Sequence, residues 1–360
     1  MLFVKTEDLK KGMRLAKPIY NKKGVLLYER NTKLTQQGIS SIRNFEIIGI
    51  YILEPAEPVP PMSEEDIEFE RFQTVAVFNI KEDLQTIMNR KKPKGLFKMA
   101  ERIISTYGRE NKKINFTQNI RSTEDYIYKH ALNVAILAVM IARVLKETPS
   151  DMQDISMAAI VHDLGLLMIN ERLACSEELS DEEYNMVKKA IVDGYDLLEY
   201  SSLPPSVIRL TAQVQREMYE LGSNVYEGRD KKRSLETKIL MVADKYDRLT
   251  AMKVNEEPTS EYVAIKQLLN DNTLDQKVVR ALMQAINILT PGVCVELTNG
   301  EKGLVITENE RNILKPMILG FDTNKLYDME YNEEGVQLVD IMKTMDNRTV
   351  IDKELLKEYM

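Results

Sequence analysis

At 360 residues the chain is long enough to bury a large core and to make two or three domains. Its formal net charge of −7, from 49 Lys and Arg against 56 Asp and Glu, argues against broad binding to a nucleic-acid backbone. Two cysteines, Cys175 and Cys294, cannot build a disulfide framework and fit a reducing, cytoplasmic compartment; the opening MLFVKTEDLKKGM lacks the apolar core of a signal peptide, and no run of about eighteen apolar residues predicts a membrane span.

In chain order, the segment MRLAKPIYNKKGVLLYERNTKLT has short extended runs around the turn signal NKKG. A short helix at TQQGISSIRNF and a strand at IIGIYIL complete a small α/β module over 1–57. EPAEPVPPMSEED (54–66), rich in proline and acids, reads as a linker, and 58–120 as linker plus connecting helices. A helical domain follows over 121–289. HALNVAILAVMIARVL (130–145) puts Val134, Leu137, Ala138, Ile141 and Leu145 on one helical face. SDEE (180–183) is a capping box, with Ser180 as cap and Glu183 reaching back. The helix that it opens carries Tyr184, Val187, Ile191 and Leu198. LPPSVIRLTAQVQREMYEL starts a helix after Pro204 and Pro205. LETKILMVADKYDRLTAM and DQKVVRALMQAINIL supply two more. The period changes after residue 290. GVCVELTNGEKGLVIT reads as two strands around Asn299 and Gly300, PMILGFD as a third, and DKELLKEYM as a final short helix, giving a small β unit and tail over 290–360. The expected fold class is mainly α, a helical bundle with small β-containing units at both ends.

The chain has only two histidines. His130 opens the most apolar helix, and His162 ends another in AAIVHDLGLL. One reading makes both of them core histidines satisfied by backbone carbonyls. Asp163, Asp244 and Asp247 weigh against it. Asp244 and Asp247 lie one turn apart inside an apolar helical run, and buried carboxylates need a cation or other compensation. His130, His162, Asp163 and Asp244 are therefore the candidate ligands of one divalent ion. Nitrogen and oxygen donors suit Fe, Mn, Zn, Co or Ni, and the residues do not choose among them. Asp163 or Asp247 is the candidate catalytic carboxylate, placed to orient an attacking water.

The series YKHALNVA, AAIVHDLG and ILMVADKYD resembles the HD superfamily of metal-dependent phosphohydrolases, whose metal signature is the order His, His-Asp, Asp. Spacing, helical context and the N-terminal module resemble the HD-GYP subgroup, whose active members cleave cyclic di-GMP. The resemblance covers about 120–285 and implies an HD-type helical bundle with a cyclic dinucleotide or nucleotide ligand. The chain departs from that pattern at several positions. Leu166 stands where the subgroup has a lysine after the HD-segment glycine, Ala190 where it has a further histidine, and Tyr126 where some members have a ligating glutamate. VQREMYELGSNVYEG (214–228) has neither the His-His-Glu run nor the Gly-Tyr-Pro signature. Arg216 there offers a charge but not a metal ligand. Asp193, Glu217 and Glu220 are the acids available to replace missing ligands.

Two functions are consistent with these residues. One is a degenerate signalling module of cyclic-dinucleotide type with a mononuclear metal site and little or no phosphodiesterase activity, working through a protein partner or a second copy of the chain. The other is an active metal-dependent phosphohydrolase on a nucleotide or phosphomonoester. Other features read more simply. RKKPKG (90–95) is a solvated loop, most of the 19 methionines fill apolar helical positions, LTNGEKG lacks the context of a phosphate loop, and Cys175 has no histidine as base.

Overall fold

A computed structural model describes residues 2–20, 25–45, 47, 49–53, 64–109, 113–116, 118, 121–176, 179–221, 233–252, 258–309, 311–331 and 335–342. Its elements in chain order are β1 (Leu2–Lys5), β2 (Arg14–Leu15), β3 (Ile19–Tyr20), β4 (Leu26–Tyr28), α1 (Gln36–Asn44) and β5 (Gly49–Leu53); the helices α2 (Glu64–Met88), α3 (Leu96–Tyr107), α4 (Tyr126–Val144), α5 (Pro149–Val161), α6 (Glu171–Ala174), α7 (Asp181–Leu197), α8 (Pro205–Met218), α9 (Leu235–Thr250), α10 (Glu261–Asn270) and α11 (Gln276–Ala285); and β6 (Cys294–Leu297), β7 (Lys302–Thr307), β8 (Met317–Gly320), β9 (Leu326–Asp328) and β10 (Leu338–Ile341). The fold is mainly α, with small sheets at both ends.

In the N-terminal module β5 lies between β1 and β2, antiparallel to both, and β3 pairs with β4. Thr35 caps α1 by accepting from the Gly38 N–H, and α1 turns Ile39 and Ile42 into a core with Leu15, Ile19 and Ile50. The NKKG turn lies outside the described residues. The expected linker ends earlier than its composition suggests. Glu64, Glu65 and Asp66 form the acidic first turn of α2, a place that the helix dipole favours for carboxylates.

The helices form one core. α4 is its axis and packs against α2, α3, α5, α9 and α11. The expected single apolar face was too narrow, since from Tyr126 to Ala142 every residue of α4 except Lys129 is buried. A helix apolar on all sides belongs at the centre of a bundle. By length and composition α4 would also cross a membrane, but 83% of its most apolar window is buried inside the fold, and that packing accounts for its composition. α5 and α7 both open with capping boxes, Thr148 with Asp151 and Ser180 with Glu183. α10 went unread in the sequence, although it packs on α9 and α11 and buries Tyr262, Ile265 and Leu268.

The C-terminal sheet has five strands in the order β10-β6-β7-β8-β9, all antiparallel, two more than the sequence indicates. β9 and β10 have three and four residues, too short for a visible alternation. Gly300 takes φ +83° at the turn between β6 and β7, which a side chain would strain. The expected helix at DKELLKEYM lies outside the described residues.

Candidate metal centre

Three helices bring the candidate residues together. α4 supplies His130 from its first turns. α5 ends at His162, which still has helical dihedrals, and Asp163 then leads into a short 3-10 turn at Leu164–Met168. Gly165 lets that turn lie directly on α7: a Cβ there would come within 2.0 Å of the Ala190 carbonyl oxygen, and one on Gly194 within 2.3 Å of the Gly165 Cα. This close approach explains the glycine after His-Asp-Leu. α9 supplies Asp244 and Asp247, with Arg248 beside them.

One ligand atom from each of His130, His162, Asp163 and Asp244 lies within 4.8 Å of all the others, and all four residues are buried. Asp244 Oδ1 is 2.9 Å from His130 Nε2 and 3.3 Å from His162 Nε2. Asp163 Oδ2 is 3.4 Å from His130 Nε2, and Asp163 Oδ1 is 3.5 Å from His162 Nε2. Tetrahedral bonds of about 2.1 Å set donors about 3.4 Å apart, so these separations match the edges of such a site. The donor set fits a divalent ion in kind as well as in spacing.

The histidines are held from behind. His162 Nδ1 is 2.7 Å from the Ala159 carbonyl oxygen, which turns Nε2 toward the carboxylates. His130 Nδ1 is 2.7 Å from Asp247 Oδ2, the carboxylate-histidine arrangement that orients metal-binding imidazoles. Tyr126 stacks on His130 at 6.3 Å between ring centroids, and the Arg121 guanidinium lies 4.9 Å from the Tyr126 centroid. Asp247 is fully buried and saturated. It accepts from Arg121 Nη2 at 2.6 and 2.8 Å, from Gln118 at 2.9 Å and from Asn133 at 2.9 Å. It therefore stands behind His130, on the Nδ1 side of the ring and outside the four-donor cluster.

Arg248 lies on the carboxylates of the centre itself. Its Nε donates to both oxygens of Asp244 at 3.0 Å, and its Nη2 donates to Asp163 Oδ2 at 2.6 Å. Tyr219 donates its hydroxyl to Asp163 Oδ1 at 2.6 Å. Burial by itself would raise the pKa values of the carboxylates. The opposing charges prevail: His162 and Arg248 lower Asp163, Arg248 and the imidazole hydrogen bonds hold Asp244 well below the usual range, and Arg121 with His130 does the same for Asp247. Burial would lower His162, but the Asp163 charge and the Asp244 hydrogen bond raise it.

The positions that depart from the HD-GYP pattern are filled by packing. Leu166 is 3% exposed in an apolar cluster with Tyr126, Ile127, Cys175 and Tyr219. Ala190 is buried against the Gly165 turn. In the VQRE segment, Gln215 donates to the His162 carbonyl oxygen and Glu217 pairs with Arg233 at 2.6 Å. Asp193, Glu217 and Glu220 lie outside the four-donor cluster, and Glu220 is exposed. Residues 222–228 of the expected Gly-Tyr-Pro region lie outside the described residues. Burial pushes the Cys175 thiol up to about 12, unlike a reactive cysteine.

Sequence reasoning missed Arg248, Arg121, Tyr219, Gln118 and Asn133. Arg248 carried a usable signal, since it lies four residues after Asp244 on a helix and so shares its face. Arg121 carried none, because NIRSTED has no apolar period to mark it as buried.

Residues 127–249 match the family model for the HD domain. A cyclic di-GMP phosphodiesterase of Pseudomonas aeruginosa is 22% identical over 204 residues, which cover 56% of this chain and 49% of that protein; the chain thus spans about half the length of its curated relative. Among solved structures, an HDG"Y"P protein from Bdellovibrio bacteriovorus aligns with a TM-score of 0.46 and 15% identity, over 78% of this chain and 97% of the other.

Proposed function

We propose, from the HD domain at residues 127–249, that this protein is a degenerate HD-GYP-like module of cyclic-dinucleotide signalling, with a mononuclear metal-capable centre and little or no phosphodiesterase activity. The observation that carries this reading is the contrast between the centre and its surroundings. Four donors sit at metal-ligand spacing, whereas Leu166 and Ala190, where the subgroup places a lysine and a further histidine, are apolar and buried. The name of the Pseudomonas relative supplies the ligand class.

His130, His162, Asp163 and Asp244 would hold the ion, Fe, Mn, Zn, Co or Ni by donor type. Such an ion supplies Lewis-acid polarisation of a phosphoryl oxygen. Asp247 fixes the His130 ring through Nδ1, and Tyr219 fixes the Asp163 carboxylate through Oδ1. Cyclic di-GMP carries two phosphate charges, and a cleaving site needs cations or donors placed for both. Among the described residues the His130, His162, Asp163 and Asp244 cluster has donors for one ion, which supports binding without efficient turnover. A protein partner or a second copy of the chain would then read out the bound state.

The test is a calorimetric titration of purified protein with cyclic di-GMP, with and without Mn²⁺. Saturable binding weakened by His162→Ala is the expected outcome. Absence of binding under both conditions would refute the reading.

A further inference from the structure

A metal centre built from His130, His162, Asp163 and Asp244 leaves Arg248 unexplained, and the role inferred for Arg248 rests on that assignment of the four donors. One planar guanidinium engages both carboxylates of the set: Nε on Asp244 at 3.0 Å and Nη2 on Asp163 Oδ2 at 2.6 Å. The guanidinium thus bridges two carboxylates, with Nε shared between both oxygens of Asp244 and Nη2 on Asp163, as charge-assisted hydrogen bonds. Nη2 also lies 3.2 Å from the Tyr219 hydroxyl, which donates to the other oxygen of Asp163. Both carboxylates are thereby hydrogen-bonded from within the chain, and the one guanidinium offsets one of their two charges.

A divalent ion would answer the same need. Two buried carboxylates are costly without a cation; the guanidinium supplies one positive charge and a divalent metal would supply two. They cannot do so together at full strength. Each repels the other across a few ångströms of low dielectric, and the oxygens that accept from Arg248 are those a metal would draw on. The two arginines near the centre differ in this respect. Arg121 is fully buried and pairs with Asp247, behind His130. The Arg248 side chain is 23% exposed, while the carboxylates that it covers are 1% and 7% exposed. Arg248 therefore reaches solvent where Arg121 does not, and its displacement would leave the Arg121–Asp247 pair behind His130 in place.

We propose that Arg248 is the resident cation of this centre, and that a divalent metal ion binds only by displacing its guanidinium from Asp163 and Asp244. Arg248 then sets metal affinity, and the wild-type chain is stable without metal.

The test compares Mn²⁺ and Zn²⁺ binding to full-length wild type, Arg248→Ala and Arg248→Gln by calorimetry, with elemental analysis after dialysis and thermal unfolding as a second readout. Both variants are expected to bind metal about tenfold or more tightly than wild type, the scale of a lost charge-assisted hydrogen bond. Their melting temperatures should rise with metal more than that of wild type. Adding His162→Ala to Arg248→Ala should remove the gain. Arg248→Gln, which keeps a hydrogen-bonding side chain, carries the test if Arg248→Ala proves too unstable to purify. Equal affinities in wild type and variants would overturn the competition and leave the metal centre standing. No metal binding in any of the three proteins would overturn both.

Discussion

Arg121 and Asp247 are both fully shielded from solvent and 2.6 Å apart, and this pair holds His130 in place. Asp247 is hydrogen-bonded on both oxygens, so it can accept from His130 Nδ1 only in one ring orientation, the one that turns Nε2 toward Asp244. Removing the guanidinium would leave the buried Asp247 carboxylate without the arginine cation that it pairs with. Arg121→Ala is accordingly expected to cost about 3–5 kcal/mol in urea unfolding, and a loss under about 1 kcal/mol would show that the pair is structurally idle. Leu166 gives a second expectation. Reintroducing the lysine of the HD-GYP pattern there would place an ammonium in an apolar cluster, where charge is strongly disfavoured. Leu166→Lys should lower the melting temperature and leave hydrolysis of cyclic di-GMP unrestored; a variant as stable as wild type that gained turnover would contradict this. At this scale the sequence was informative wherever a polar side chain interrupted an apolar run. His130, His162, Asp163 and Asp244 all stood out in that way. Arg248 interrupts no apolar run; its signal was the four-residue spacing from Asp244, which becomes specific once the burial of that aspartate is known.

Among the elements, the 3-10 turn after α5 depends on backbone contact. Gly165 and Gly194 touch with no room for a methyl group, and Asp163 lies just before that contact. Gly194→Ala should push the turn off α7, cost about 1–3 kcal/mol as an overpacking change, and weaken metal binding through Asp163; unchanged stability and affinity would show that the contact does not position Asp163. The C-terminal sheet supplies a pH expectation. The Glu301 carboxylate accepts from the Tyr327 hydroxyl at 2.7 Å, from Thr323 N–H and Oγ1–H at 2.9 Å, and from Asp322 N–H at 3.0 Å. Led by the tyrosine, these bonds lower its pKa to about 2. A lowered carboxyl pKa contributes stability that is fully present above the unfolded value of about 4.3 and lost as pH falls toward the folded one. The stability gap between wild type and Glu301→Gln should therefore be constant from about pH 7 down to 5 and close between about 4.3 and 2; a gap that widened on acidification would reverse the assignment. The capping box at Ser180 was readable because its two partners lie three residues apart. The strands β9 and β10 were not, because three or four residues do not define a period.

Across the whole molecule, polar links tie the N-terminal module to the centre. Lys17 donates to the Gln118 carbonyl oxygen at 3.0 Å, and the Gln118 amide donates to Asp247 Oδ1 at 2.9 Å. Residues Ile47 and Ser122 form an isolated bridge between the same two regions. The helical class and the small β-containing ends followed from periodicity, which is a local property. The expected meeting of His130, His162, Asp163 and Asp244 rested instead on the need of buried polar groups for one another and on the ordered His, His-Asp, Asp series, since no local period joins residues up to 114 positions apart. The direct measurement of turnover at this centre is the linear dinucleotide released from cyclic di-GMP by full-length protein loaded anaerobically with Fe²⁺ or Mn²⁺, followed by chromatography over many hours. Product at or near the no-protein background is the predicted result. Robust turnover that disappears in Asp163→Ala would contradict it, and would mean that one ion, with the residues present, is enough for the reaction.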